Sequence, residues 1–336
     1  MKKRILYIGN KLSSKGTVTT IETLSNLLSS EGYGVVSVSN VLNKVVRLLD
    51  MLWSTFKYRK KVDVVLIDTY STQNFYYAVG VAKICKLFNI PYIPILHGGN
   101  LPFRIEQSPK LCQKLFKGAK TNIAPSHYLL NASKEKGYTN LTYIPNTIEL
   151  KKYPYKKRET IQLNLLWVRS FSEIYNPKLA LEIVEKLVAQ NIEVNLCMVG
   201  PEKDGALKEC QEIVSQKKLP VTFTGILSKE EWIDLSKDCD LFINTTNFDN
   251  TPVSMMEAMA LGLPVISTNV GGIPYLIENN ETGVLLPPND SQAFVDAILN
   301  LYKNPSKTFE ISKNARTAVE KFDWEVVKEK WIEVLK

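Results

Sequence analysis

An arginine, a histidine and two carboxylates carry the chemistry legible in this chain. Asp249 and Glu257 sit in the segment FDNTPVSMMEAMALGLP. Thr251 and Pro252 predict a helix start there, the threonine as cap and the proline at the first helical position, while Gly262 and Pro264 predict its end. A helix start offers backbone N–H groups and the positive end of a dipole, a place for phosphate. Asp249 falls just ahead of that start. Glu257, about two turns inside, comes from a Met/Ala face where an unpaired carboxylate is costly. Arg169 ends the apolar run LLWV, and arginine rarely ends a buried strand without a partner. Its forked guanidinium suits phosphate oxygens. His97, in ILHGGN, follows another apolar run, at the carboxyl edge where open α/β sheets bind ligands. The competing reading of His97 is a structural histidine tied to a backbone carbonyl; His127, at a helix start, is read as non-catalytic.

The elements that must position these residues alternate regularly. Short β-branched runs separated by longer amphipathic stretches are the pattern of parallel strands joined by helical crossovers. In the first half, strands are expected at 4–8, 34–38, 62–68, 92–97, 121–124 and 141–144. A proline- and charge-rich stretch at 145–160 reads as a linker. The rhythm then restarts, with strands at 163–168, 194–199, 221–225, 241–244, 264–268 and 283–286. Helices are expected at 177–190, 206–217, 229–237, 253–261 and 291–303. The fold class is therefore α/β, with two Rossmann-like domains at 1–155 and 156–318 and a terminal helix at 319–336.

Composition narrows the function. The 336 residues have room for about two domains, and 45% hydrophobic against 23% charged residues excludes wholesale disorder. No apolar run is long enough to span a membrane, and the start MKKRILYIGNK lacks a signal-peptide core, so a cytoplasmic protein is expected. Five scattered cysteines and two histidines suggest neither a disulfide framework nor a zinc site. Charge is split: residues 1–155 hold 22 Lys+Arg against 8 Asp+Glu, a balance of +14, and residues 156–336 hold 20 against 26, a balance of −6. A basic half implies an anionic partner, and without a nucleic-acid recognition signature that partner is not nucleic acid. The segment 41–61 concentrates the charge. Val41, Val45, Leu48, Leu49, Leu52 and Phe56 are expected on one helical face, with Lys44, Arg47, Lys57, Arg59, Lys60 and Lys61 beside Trp53 and Tyr58. Such a stretch fits either an anionic membrane surface or a core-facing helix with a solvated basic edge.

The motifs of the second half resemble those of retaining, nucleotide-sugar-dependent glycosyltransferases of family-4 type. The signature is two acids separated by seven residues, then Ala-Met-Ala, Gly, Pro-Val-Ile and Gly-Gly. Here it reads Asp249 to Glu257, Ala258–Ala260, Gly262, Pro264–Ile266, Gly271 and Gly272. The resemblance implies a GT-B fold, two Rossmann-like domains facing across a cleft, with the terminal helix packing back towards the first. It implies that His97, Arg169, Asp249 and Glu257 form the catalytic group. Asp249, where the family usually has Glu, would bond donor-sugar hydroxyls, and Glu257 the ribose. Gly16, Lys178, Asn250, Thr251, Val253 and Ser254 would complete the donor site. The first loop, GNKLSSKGT, fits neither the dinucleotide nor the P-loop fingerprint; by resemblance, Gly16 in it lets amides approach donor and acceptor. The usual Lys-Asn-Pro has become Tyr175-Asn176-Pro177, so either Lys178 or the Tyr175 hydroxyl takes the phosphate-binding place. The implied reaction retains anomeric configuration, uses no metal or other cofactor, and delivers sugar to a glycan or lipid-linked acceptor in polysaccharide synthesis, at the inner face of the cell membrane. A GT-B nucleotide-sugar epimerase and a non-catalytic sugar-binding subunit remain the alternatives.

Overall fold

The computed structural model of the protein describes residues 2–12 and 19–336. Gly16 lies outside the described residues. Strands β1 (Arg4–Ile8), β2 (Gly34–Val38), β3 (Val64–Thr69), β4 (Tyr92–Leu96), β5 (Asn122–Ala124) and β6 (Leu141–Tyr143) form one sheet, in the order β2-β1-β3-β4-β5-β6. Strands β7 (Asn164–Val168), β8 (Asn195–Val199), β9 (Val221–Gly225), β10 (Leu241–Asn244), β11 (Val265–Thr268) and β12 (Val284–Leu286) form a second, in the order β12-β11-β10-β7-β8-β9. The paired strands of both sheets run parallel. Parallel sheets are covered by helices on both faces, so their strands are apolar throughout rather than alternating. β3, β4, β10 and β11 are buried at every residue. In each sheet the chain leaves a central strand in one direction and later returns to its other side. The loops beyond the strand ends at that switch point form the natural crevice for a ligand. The switch lies between β1 and β3 in the first sheet and between β7 and β10 in the second.

The chain divides into two compact units, residues 1–146 with 327–336, and residues 147–326. The terminal helix Trp324–Leu335 starts in the second unit and ends in the first. Most of the segment 145–160 belongs to the second unit. Its Arg158 is buried, donating from Nε to Cys239 O at 2.7 Å, from Nη2 to Ser236 O at 2.7 Å and from Nη1 to Leu261 O at 3.1 Å. All five cysteines are free thiols. No helix among the described residues is long and apolar enough to cross a membrane.

The segment 41–61 differs from its expected pattern. A helix spans Lys44–Tyr58, capped by Asn43, whose Oδ1 accepts from Val45 N and Val46 N. The six apolar residues expected on one face are divided. Leu48 and Leu52 pack towards the core, Val41 is half-buried, and Val45, Leu49 and Phe56 face outwards. Its buried residues are Arg47, Met51, Ser54 and Thr55. Arg47 donates to Asn10 Oδ1 and Leu42 O at 3.0 Å each, with its Nε left unpartnered, and Thr55 Oγ1 donates to Met51 O one turn back at 2.7 Å.

Candidate functional site

The second unit gathers its unusual residues at the switch point between β7 and β10. Arg169 is the first residue beyond β7, and its N–H donates to Val199 O at 3.0 Å. Gly200 packs on that peptide; a Cβ there would collide with Arg169 O, and its φ of +149° disfavours other residues. Beyond β10, Thr245 and Thr246 are fully buried and tie the loop down. Thr245 Oγ1 donates to Asn176 O at 2.8 Å, and Thr268 Oγ1 donates to Thr246 O at 2.6 Å. The loop is braced from below by Gly271 and Gly272, where a Cβ would collide with Asp249 O and Asn250 O respectively.

So held, the Asp249 carboxylate forms an ion pair with Arg169 Nη2 and accepts from Asn250 N at 2.7 Å. The Arg169 guanidinium also lies over the Tyr175 ring, 4.8 Å from its centroid. Burial, above all, raises the Tyr175 hydroxyl pKa; Arg169 opposes that shift and Asp249 adds to it. Lys178 does not join this group. Its Nζ pairs with Glu209 at 2.6 Å, and that hydrogen bond holds the ammonium above its usual range. A cation the sequence did not single out does approach: Lys203 Nζ lies 5.9 Å from the Tyr175 ring centroid.

The helix after Asp249 spans Val253–Ala260. Pro252 is its cap residue, not its first helical residue, so Thr251 stands one place ahead of the expected cap position. Proline has no N–H to leave unpaired, which suits the position ahead of the first turn. Asn250 is buried, while Thr251, Val253 and Ser254 are half-buried. Two buried polar atoms in this region lack a hydrogen-bond partner, Arg169 Nε and Ser254 Oγ. An orphaned polar group costs about 1–3 kcal/mol. Both atoms are donors, of the chemistry that phosphate oxygens satisfy.

Glu257, 2% exposed, is not left alone. It accepts from Tyr153 Oη at 2.7 Å and pairs with Lys229 Nζ. Burial first, and Glu257 second, push the Tyr153 hydroxyl far above its usual range, so it donates as a neutral phenol. Tyr153 and Lys229 were not found from sequence. Their signal was indirect: a carboxylate inside an apolar helix must have partners somewhere.

His97 lies in the first unit, just past β4. Its Nε2 is 2.7 Å from Asp68 Oδ1, which also accepts from Tyr7 Oη at 2.8 Å. The imidazole stacks on Tyr70, ring centroids 5.0 Å apart. Asp68 Oδ2 is buried without a partner beside Gly9, where a Cβ would collide with it. The expected alternative partner of His97, a backbone carbonyl, is thus a carboxylate. Its ring is oriented as carboxylate-bound histidines are, one nitrogen engaged and the other available. His127 stacks on Tyr143 at 4.2 Å. Among the described residues no three His, Cys, Asp or Glu side chains stand together as metal ligands would.

Two parallel units of this kind define a class of two-unit α/β fold that solved structures share. The Anabaena protein HepE, solved in complex with UDP, matches with a TM-score of 0.76 at 18% identity over 99% of both chains. HepE in complex with UDP-glucose matches with a TM-score of 0.78, again at 18% identity over 99% of both chains. Residues 154–318 match the family model described as Glycosyl transferases group 1. That match lies in the second unit, and the chain's α/β fold is of the GT-B type. Among curated relatives, sulfoquinovosyl transferase SQD2 of Arabidopsis thaliana is 30% identical over 148 residues, 43% of this chain and 28% of that protein. The amylovoran biosynthesis glycosyltransferase AmsK of Erwinia amylovora is 33% identical over 123 residues, 35% of this chain and 28% of that protein. The matched stretch thus spans little more than a quarter of these two relatives.

Proposed function

We propose that the protein is a glycosyltransferase that moves a hexosyl group from a nucleoside diphosphate sugar to an acceptor hydroxyl with retention of anomeric configuration. The observation that carries this reading is the Arg169–Asp249 pair beside a helix start, with Arg169 Nε and Ser254 Oγ buried and unpartnered. A diphosphate fits those donors, and HepE, of the same fold, has been solved with UDP and UDP-glucose. A uridine diphosphate sugar is therefore the first donor to test.

In this reading Asp249, oriented by Arg169 and its own loop amide, receives sugar hydroxyls. Glu257, held by Tyr153 and Lys229, receives the ribose hydroxyls. His97, with Nε2 occupied by Asp68, offers its other nitrogen to the sugar. As the anomeric C–O bond breaks, negative charge grows on the diphosphate, and Arg169 with the amides of Val253 and Ser254 stabilises it. A diphosphate oxygen takes the acceptor proton while the new bond forms on the face being vacated. Fixed donors carry the leaving group, so no divalent metal is required, and turnover in the presence of a chelator checks that point.

The acceptor is proposed to be a glycan or lipid-linked glycan of a cell-surface polysaccharide, met at the cytoplasmic face of the membrane. Support comes from the basic first half and from relatives such as AmsK, named for amylovoran biosynthesis. The test is thermal unfolding with UDP, GDP and ADP, followed by NMR of the product formed from the stabilising sugar nucleotide. Ligand at 100 times its Kd adds about 2.7 kcal/mol. Stabilisation by none of the three would end the reading. An inverted product would end the retaining part, and an altered sugar nucleotide released without acceptor would identify an epimerase.

A further inference from the structure

The helix Lys44–Tyr58 wears its apolar side outwards. Val45, Leu49 and Trp53 are 68%, 60% and 62% exposed, and Leu42, just ahead of the helix, is 76% exposed. They recur along one stripe at helical spacing that ends at Phe56. The stripe does not stop there. Trp53 and Phe56 have ring centroids 5.9 Å apart, Phe56 meets Phe88 edge-on at 5.7 Å, and Leu87 beside it is 73% exposed. A contiguous apolar surface of this kind on a soluble face marks a place of association.

Its border decides the partner. Lys44, Lys57, Lys60 and Lys61 are exposed around the stripe, as is Lys83 on the neighbouring helix Phe75–Leu87. Arg59 lies over the Phe56 ring at 3.9 Å and over the Phe88 ring at 5.4 Å, joining charge directly to the apolar patch. Asp50, the acid within the helix, is engaged by the Ser39 hydroxyl. A second copy of this chain, related by a two-fold axis through this face, would set these cations against their equivalents. An apolar stripe sunk among acyl chains, with lysines level with lipid phosphates, satisfies both features at once.

We propose that the outward face of the helix Lys44–Tyr58, continued by Leu87 and Phe88, docks on an anionic lipid bilayer. This deepens the reading above by naming the surface that brings the protein to a membrane-borne acceptor, and rests on that reading only for its purpose. The test is sedimentation of the full chain with phosphatidylcholine vesicles, alone or with about one third phosphatidylglycerol, without any sugar nucleotide. The expected result is binding to the anionic vesicles only, weakened about tenfold or more by high salt. Replacing both Leu49→Ser and Trp53→Ser should reduce binding by more than about tenfold, as should Lys57→Ser with Lys60→Ser and Lys61→Ser. Stabilisation by UDP should be the same in both variants as in the parent.

Equal binding to neutral vesicles, no binding to anionic ones, or unchanged binding by the Leu49→Ser/Trp53→Ser variant would overturn the proposal. A solution dimer that this variant dissociates would give the face to a second copy and also overturn it. Vesicle binding without any response to UDP would instead sink the transferase reading and leave this surface standing.

Discussion

Two helices break the usual amphipathic rule in opposite ways. Val253–Ala260, in the second unit, takes a carboxylate into the core at Glu257. Lys44–Tyr58, in the first, turns Arg47, Ser54 and Thr55 inwards and Leu49 and Trp53 outwards. In the first case the buried carboxyl is held through its Oε1 by both Tyr153 and Lys229. In the second the exposed apolar groups touch one another and a border of cations. Departures from local pattern that remain in a stable fold concentrate where function is exerted. A buried charge points to recognition of a small polar ligand, and an exposed apolar stripe points to a large apolar partner.

That contrast can be broken most sharply at the switch point beside the first helix. Arg169→Ala should lower kcat by about 100-fold or more, the size expected when a preorganised donor to a developing anion is removed. Steady-state assays check it, and near-normal turnover would remove Arg169 from the leaving-group site. Next in size, Glu257→Ala should weaken UDP binding by about tenfold or more, since a hydrogen bond to a charged group contributes about 1.5–3 kcal/mol. The Leu49→Ser/Trp53→Ser variant should bind UDP as the parent does. Calorimetry on the two side by side either preserves the division of roles between the helices or abolishes it.

A smaller effect separates packing from chemistry through pH. Burial raises the thiols of Cys112 and Cys210 from 9.0 to about 11, and those of Cys85 and Cys239 to about 12. The unfolded chain releases these protons near pH 9 while the native chain keeps them. Their contribution is therefore complete below pH 9 and is lost as pH rises through 9 towards 11–12. Urea midpoints should fall over that window, and replacing Cys210 with Ala should flatten the fall. The smallest effect is expected at Lys178→Ala, within about twofold of the parent kcat, because its ammonium faces Glu209. Lys203→Ala should raise the donor KM severalfold. A reversal of that order would return Lys178 to the phosphate site.

The parallel α/β architecture was legible because fully covered parallel strands must be apolar along their whole length, and runs such as VVLIDT and LFIN announce it. The site was legible in part. Asp249, Glu257 and Arg169 stood out against apolar neighbours, but the Arg169–Asp249 contact was not foreseen, since residues 80 apart in sequence carry no local sign of meeting. The partners of Glu257 were not visible, because Tyr153 comes from the segment between the sheets and Lys229 from a separate helix start. Nor was the orientation of Lys44–Tyr58. Apolar residues occupy more than half its circumference, so periodicity alone cannot say which side is covered. The bond that buried Arg47 makes to Asn10 decides it.

The Arg158 clasp has a consequence for taking the molecule apart. One guanidinium gathers carbonyls from Ser236, Cys239 and Leu261, so it stitches the connector onto the strand-and-helix layer that follows. A fragment of the carboxy-terminal half that starts at Thr147 keeps this stitch, whereas one trimmed to the first residue of β7 takes the guanidinium donor from three buried carbonyls. Proteolytic trimming should accordingly halt upstream of Arg158, and the longer fragment should be the one that survives purification.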